Sequence, residues 1–135
     1  MRDLMNRDAP GPIVLVVADV EETRDGIEAL LSGDGYRVYP ARDENDAVSR
    51  ASREPPDLVL VSLGGPPVEV VPTALRIRQR AQLSEEIPIV IFCIETVAEG
   101  AEVEIDKGVY VTRPDNFDQL RAFFIRLLRK VATTS

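Results

Sequence analysis

The chain has 135 residues, a formal net charge of −7, one cysteine and no histidine. That length makes one domain with a single core, and the acidic balance argues against nucleic acid and anionic membranes as partners. Without histidine there is no Ser-His or Cys-His nucleophile pair and no histidine metal ligand. The lone cysteine excludes an internal disulfide and points to a reducing, cytoplasmic compartment.

In chain order, residues 1–11 are polar, end in Pro10-Gly11, lack an apolar signal core and read as a flexible lead-in. Ile13-Val14-Leu15-Val16-Val17 is a short, wholly apolar, β-branched run, suited to a strand buried on both faces. Glu21 to Ser32 predicts a helix with Ile27, Leu30 and Leu31 on one face, stopped by Gly33 or Gly35. Tyr36-Arg37-Val38-Tyr39 predicts a second strand, and Asp43 caps a helix over 44–53 with Ala47, Val48 and Ala51 inward. Leu58 to Leu63 is the third strand. Pro72 suits the first turn of a third helix that runs to about Gln82. Pro88 leads into the fourth strand, Ile89 to Cys93, and Thr96 to Lys107 reads as a fourth helix. Val109-Tyr110-Val111-Thr112 is the fifth strand. Asn116 and Gln119 then form a capping-box start for a last helix to about Val131, leaving 132–135 as a tail.

Alternating strands and helices imply a doubly wound parallel α/β sheet over residues 12–131, with helices on both faces. Ligands of such sheets bind beyond the carboxyl ends of the strands. The candidate positions are therefore Ala18 and Asp19, Ser62 to Pro66, Cys93 to Glu95, and Thr112 to Pro114. Gly64-Gly65-Pro66-Pro67 reads as a turn leaving a strand. Asp19-Val20-Glu21-Glu22 stands where a pyrophosphate would need glycines, so no dinucleotide cofactor is expected.

Several segments in this order carry a resemblance. They are Val16-Val17-Ala18-Asp19, Gly35-Tyr36-Arg37-Val38, Pro56-Asp57 before the third strand, Pro66 beyond Ser62, Pro88, and Tyr110-Val111-Thr112-Arg113-Pro114. Together the chain resembles the response-regulator receiver domains (CheY-like). The resemblance implies a flavodoxin-like fold with strand order 2-1-3-4-5 and a phosphoryl switch. It also marks where this sequence departs from the pattern. Ala18 stands for the first of two metal-binding acids and Asp19 is the second. Ser62 replaces the phosphoacceptor aspartate, Cys93 the hydroxyl residue and Arg113 the lysine; Tyr110 matches the switch aromatic.

A hydroxyl cannot form an acyl phosphate, and serine needs a base to become a nucleophile. One carboxylate is also a poor Mg²⁺ site. The expectation is thus a non-enzymatic, phosphorylation-independent signalling module without cofactor or metal, acting by binding protein. Asp19 is expected to pair with Arg113. The alternatives are a true phosphoryl switch with an unusual site, and a small-ligand or redox-sensing protein using the cleft around Cys93 and Arg113. Acids from Glu95 to Asp106 and bases from Arg121 to Lys130 suggest complementary surfaces. A homodimer or partner face is expected on the fourth helix, fifth strand and fifth helix, with Glu102, Val103, Asp106, Arg121, Ile125 and Arg129 in contact.

Overall fold

The computed structural model describes residues 11–92, 100–113 and 116–134. Its elements are β1 (Ile13–Ala18), α1 (Glu21–Gly33), β2 (Arg37–Ala41), α2 (Glu44–Arg53), β3 (Leu58–Ser62) and α3 (Pro67–Arg80), then β4 (Ile89–Phe92), β5 (Glu102–Asp106), β6 (Val109–Thr112) and α4 (Phe117–Thr134). The sheet has six strands in the order β2-β1-β3-β4-β6-β5. The first five in that order run parallel, as the 2-1-3-4-5 expectation requires, and β5 adds an antiparallel edge.

β1 is buried along its whole length, because both of its faces meet helices. On one face Leu31 of α1 and Leu120, Phe123, Phe124 and Leu127 of α4 pack on Val14, Val16 and Leu60. On the other, Ala47 and Ala51 of α2 and Val70, Ala74 and Ile77 of α3 pack on Leu15, Val17 and Val59. The small residues of α2 let it lie close to the sheet. Asp57 locks β1 to β3 at their start: its carboxylate accepts the Ile13 N–H at 2.7 Å, and its own N–H donates to the Ile13 carbonyl at 2.8 Å.

The end signals act as chemistry demands. Asp43 Oδ1 accepts from the Asp46 N–H at 2.8 Å, and Asn116 Oδ1 from the Gln119 N–H at 2.9 Å. The Gln119 side-chain amide donates to the Gly100 carbonyl and to Glu102, tying the start of α4 to the edge of the sheet. α1 ends where Gly35 takes φ +97°, a conformation costly for a residue with a Cβ.

Four expectations need correction. The helix expected over Thr96–Lys107 is, in its second half, the strand β5; residues 93–99 lie outside the described residues. Glu102-Val103-Glu104-Ile105-Asp106 alternates polar and apolar with period two, and Gly108 (φ +73°) turns the hairpin into β6. α3 begins at Pro67, not near Pro72, which falls inside the helix. A proline at the first position gives up only an amide that has no partner there, and the early start delivers Val70 to the core. Leu30 sits at the edge of the α1 stripe and is 46% exposed, while Leu31 is buried. The expected tail at 132–134 continues α4.

Adjacent positions on α4 make a direct test of the packing. Phe124 is fully buried and edge-on to Tyr36, whereas Ile125 is 48% exposed. Phe124→Ala is expected to cost about 3–5 kcal/mol, and Ile125→Ala no more than about 0.5 kcal/mol, measured by urea unfolding.

Candidate functional site

Register sets the site. Ala18 lies beside Ser62, Val61 beside Ile91, and Phe92 beside Thr112. The ends of β1, β3, β4 and β6 therefore form one row at the carboxyl edge of the sheet, the edge at which such sheets bind ligands. Ala18 is buried and offers no side-chain donor or acceptor, while Asp19, one residue on, is exposed. Its carboxylate accepts the Gly64 N–H at 3.2 Å to Oδ2 and 3.4 Å to Oδ1, tethering the β3–α3 loop to the end of β1. Ser62 is half-buried at the end of β3.

The residue that sequence reasoning missed is Arg24. From the start of α1 its guanidinium turns back and donates to the Ala18 carbonyl at 2.7 Å. Only its place one turn past the end of β1 signalled this. A guanidinium therefore caps the last carbonyl of β1, next in the chain to Asp19. Among the described residues, the side-chain oxygens that the resemblance places at this edge are one carboxylate, already holding an amide, and one neutral hydroxyl. Among the described residues no three acids or thiols gather as a metal site. This set does not fit Mg²⁺, which takes near-octahedral oxygen ligation anchored by carboxylates.

Arg113 does not pair with Asp19 among the described residues. β6 is three strands from β1, a gap of roughly 14 Å that one arginine does not close. The backbone of Arg113 extends the β5–β6 hairpin instead, donating to the Ala101 carbonyl at 3.2 Å and accepting the Gly100 N–H at 2.6 Å. Cys93 and Pro114 lie outside the described residues.

Tyr110 is half-buried, with its ring 5.5 Å from that of Phe123 and at 90° to it. It shares a groove of about 360 Å³ with Glu102, Glu104, Phe123, Arg126 and Leu127. Burial, with a smaller contribution from the Glu104 charge, holds its phenol above the ordinary value.

The residues expected to form an interface separate into three groups. Glu102 is joined to Arg126 at 2.7 Å on the α4 side of the sheet. Val103 stands opposite Val111, whose side chain belongs to the core under α2 and α3, so Val103 lies on the other face. Arg121 and Ile125 border the end of α1, where Arg121 reaches Asp34 at 2.8 Å and Ile125 shares a groove with Asp34 and Tyr36. Asp106 and Arg129 are exposed.

A phenol whose folded pKa is raised stabilises the fold below its unfolded pKa, and that contribution is lost as pH rises through the folded value. Stability is therefore expected to fall above about pH 10. Tyr36, raised first by burial and then by the Asp34 charge, acts in the same direction. Tyr110→Phe is expected to make the fall shallower without removing it, as read by urea unfolding from about pH 9 to about pH 11.

No protein-family model matches the chain. It is 26% identical over 125 residues to the KDP operon transcriptional regulatory protein KdpE of Escherichia coli (strain K12), covering 90% of this chain and 54% of that protein. The chain spans about half the length of the curated relatives it matches. Among solved structures it superposes with a TM-score of 0.67 on the N-terminal domain of a response regulator/sensory box/GGDEF 3-domain protein from Carboxydothermus hydrogenoformans. That pair is 26% identical, with 90% of this chain and 98% of that one covered. The Vibrio cholerae chemotaxis protein CheY4 superposes with a TM-score of 0.65 at 20% identity, with 88% and 99% covered. The chain has the flavodoxin-like fold of the CheY-like receivers, and these comparisons support a receiver domain of the response-regulator type.

Proposed function

We propose that this chain is a receiver-type signalling module that acts by binding protein and does not accept a phosphoryl group. One observation carries the reading: Ser62 ends β3 in register with Ala18, so two of the carboxylates that the receiver pattern places on this edge are absent. Phosphoryl transfer depends on charge neutralisation at the moving group and on a competent nucleophile. Here the nucleophile position holds a neutral hydroxyl. The nearby carboxylate, Asp19, is engaged with the Gly64 amide and is a weak base for a hydroxyl. The Arg24 guanidinium supplies positive charge without an open coordination position.

The partner face we assign to α4 with β5 and β6. Its groove combines an aromatic pair, Tyr110 and Phe123, with the Glu102–Arg126 ion pair. Exposed Ile125 lies across α4 from this groove, and exposed Val103 on the opposite face of the sheet. A net charge of −7 supports protein rather than nucleic acid as the partner of this segment. A second copy is one such partner, its arginines facing these acids about a two-fold axis.

Incubation with acetyl phosphate and Mg²⁺, followed by intact mass, is expected to give no stoichiometric phosphoryl gain; a gain of one group overturns the reading. Ser62→Asp alone is expected to remain unmodified, and Ala18→Asp with Ser62→Asp to regain modification. Sedimentation at micromolar concentration is expected to show a dimer that salt weakens and that Ile125→Glu dissociates without unfolding. An unchanged dimer in Ile125→Glu places the contact elsewhere.

A further inference from the structure

We propose that the groove at the carboxyl end of β2, between the starts of α1 and α2, is a binding site for a small phosphate anion, separate from the Ser62 edge. The groove encloses about 440 Å³ and is lined by Arg24, Asp25, Pro40, Arg42, Asp46 and Arg50. Three arginine side chains thus line one concavity in a chain whose net charge is −7. Such a grouping is unfavourable in isolation, since like charges repel without gain.

The two carboxylates do not neutralise it evenly. Asp46 is largely committed: its Oδ2 accepts the Arg42 N–H at 3.1 Å, and Arg50 Nε stands 3.9 Å from its Oδ1. Asp25 is exposed at the rim. The Arg42 guanidinium makes no hydrogen bond or ion pair among the described residues. Arg24 spends one donor on the Ala18 carbonyl, and a guanidinium carries five.

The ligand class follows from this donor set. Planar guanidinium forks match the oxygens of phosphate in pairs, whereas a halide takes one contact. Asp25 and Asp46 leave a formal surplus of one positive charge, so a ligand must offer several acceptor oxygens shared among the arginines to displace water. The lining offers little apolar surface beyond Pro40, which favours inorganic phosphate or pyrophosphate over a large organic ligand. Arg24 also connects the groove to the carboxyl edge. An anion that draws its guanidinium loosens the contact with Ala18, the neighbour of Asp19.

The test is a titration of labelled protein with inorganic phosphate, then pyrophosphate, at constant ionic strength balanced with sodium chloride. Amide and arginine Nε–H resonances are the readout. Saturable shifts are expected at Arg24, Arg42 and residues 40–46, with pyrophosphate the tighter ligand. Arg42→Gln is expected to weaken binding about fivefold, and Arg50→Gln to weaken it less, each variant keeping the amide spectrum of the folded domain. Asp19→Asn is expected to leave the affinity unchanged. The proposal is overturned by non-saturating shifts that chloride reproduces, by unchanged affinity in Arg42→Gln, or by shifts centred on Asp19, Ser62 and Gly64.

Discussion

β1 is the strand on which the other elements depend. Its six residues are all buried, and it pairs with β2 on one side and β3 on the other. Parallel neighbours cannot be joined by a tight turn, so each pairing requires a crossover, and each crossover helix must cover one face of the sheet. The apolar run Ile13–Ala18 is dry only because α1 and α4 close one face while α2 and α3 close the other. The bonds between Asp57 and Ile13 set the register at the strand starts. That register carries Ala18 and Ser62 to the same level at the far end.

The chemistry of the carboxyl edge is a consequence of what that level holds. A parallel sheet delivers side chains from several strands to one row whatever those side chains are. Here the row brings alanine, serine and threonine together, with Asp19 just beyond it. The single carboxylate then turns to the nearest donor, the Gly64 amide, and the loop after β3 is held by a hydrogen bond. Arg24, reaching back from α1, satisfies the last carbonyl of β1. Three arginines, Arg24, Arg42 and Arg50, line a groove beside β2.

At the opposite edge of the sheet, β5 shows how an exposed strand is kept from promiscuous pairing. It carries Glu102, Glu104 and Asp106 and breaks register between Glu104 and Asp106. Charges and irregularity both blunt an edge. Arg126 binds Glu102 and lies over the Phe123 ring, which stiffens α4 against this edge and frames the groove beside Tyr110. The surface chemistry on either side of α4 differs for the same reason: Arg126 meets β5, while Arg121, more than a full turn earlier on the helix, meets Asp34 at the end of α1.

Much of this was legible in the amino-acid sequence, because the signals were local. Unbroken β-branched runs mark strands buried on both faces. Asp43 and Asn116 mark helix starts, and Leu120, Phe123, Phe124 and Leu127 trace the buried stripe of α4. Alanine at position 18 and serine at position 62 are properties of single positions and needed no coordinates. The misread elements had competing local signals. Thr96 to Lys107 reads as a helix, yet the period-two alternation of Glu102 to Asp106 prevails, because β6 offers a partner strand and Gly108 a turn. Pro72 suits a helix start, but Pro67, at the end of the Gly/Pro turn, takes the first position, which carries Val70 into the core. Pairings between distant residues belonged to the tertiary structure alone. Asp19 with Gly64 and Arg121 with Asp34 depend on which strand ends and helix ends become neighbours, and sequence separation carries no record of that.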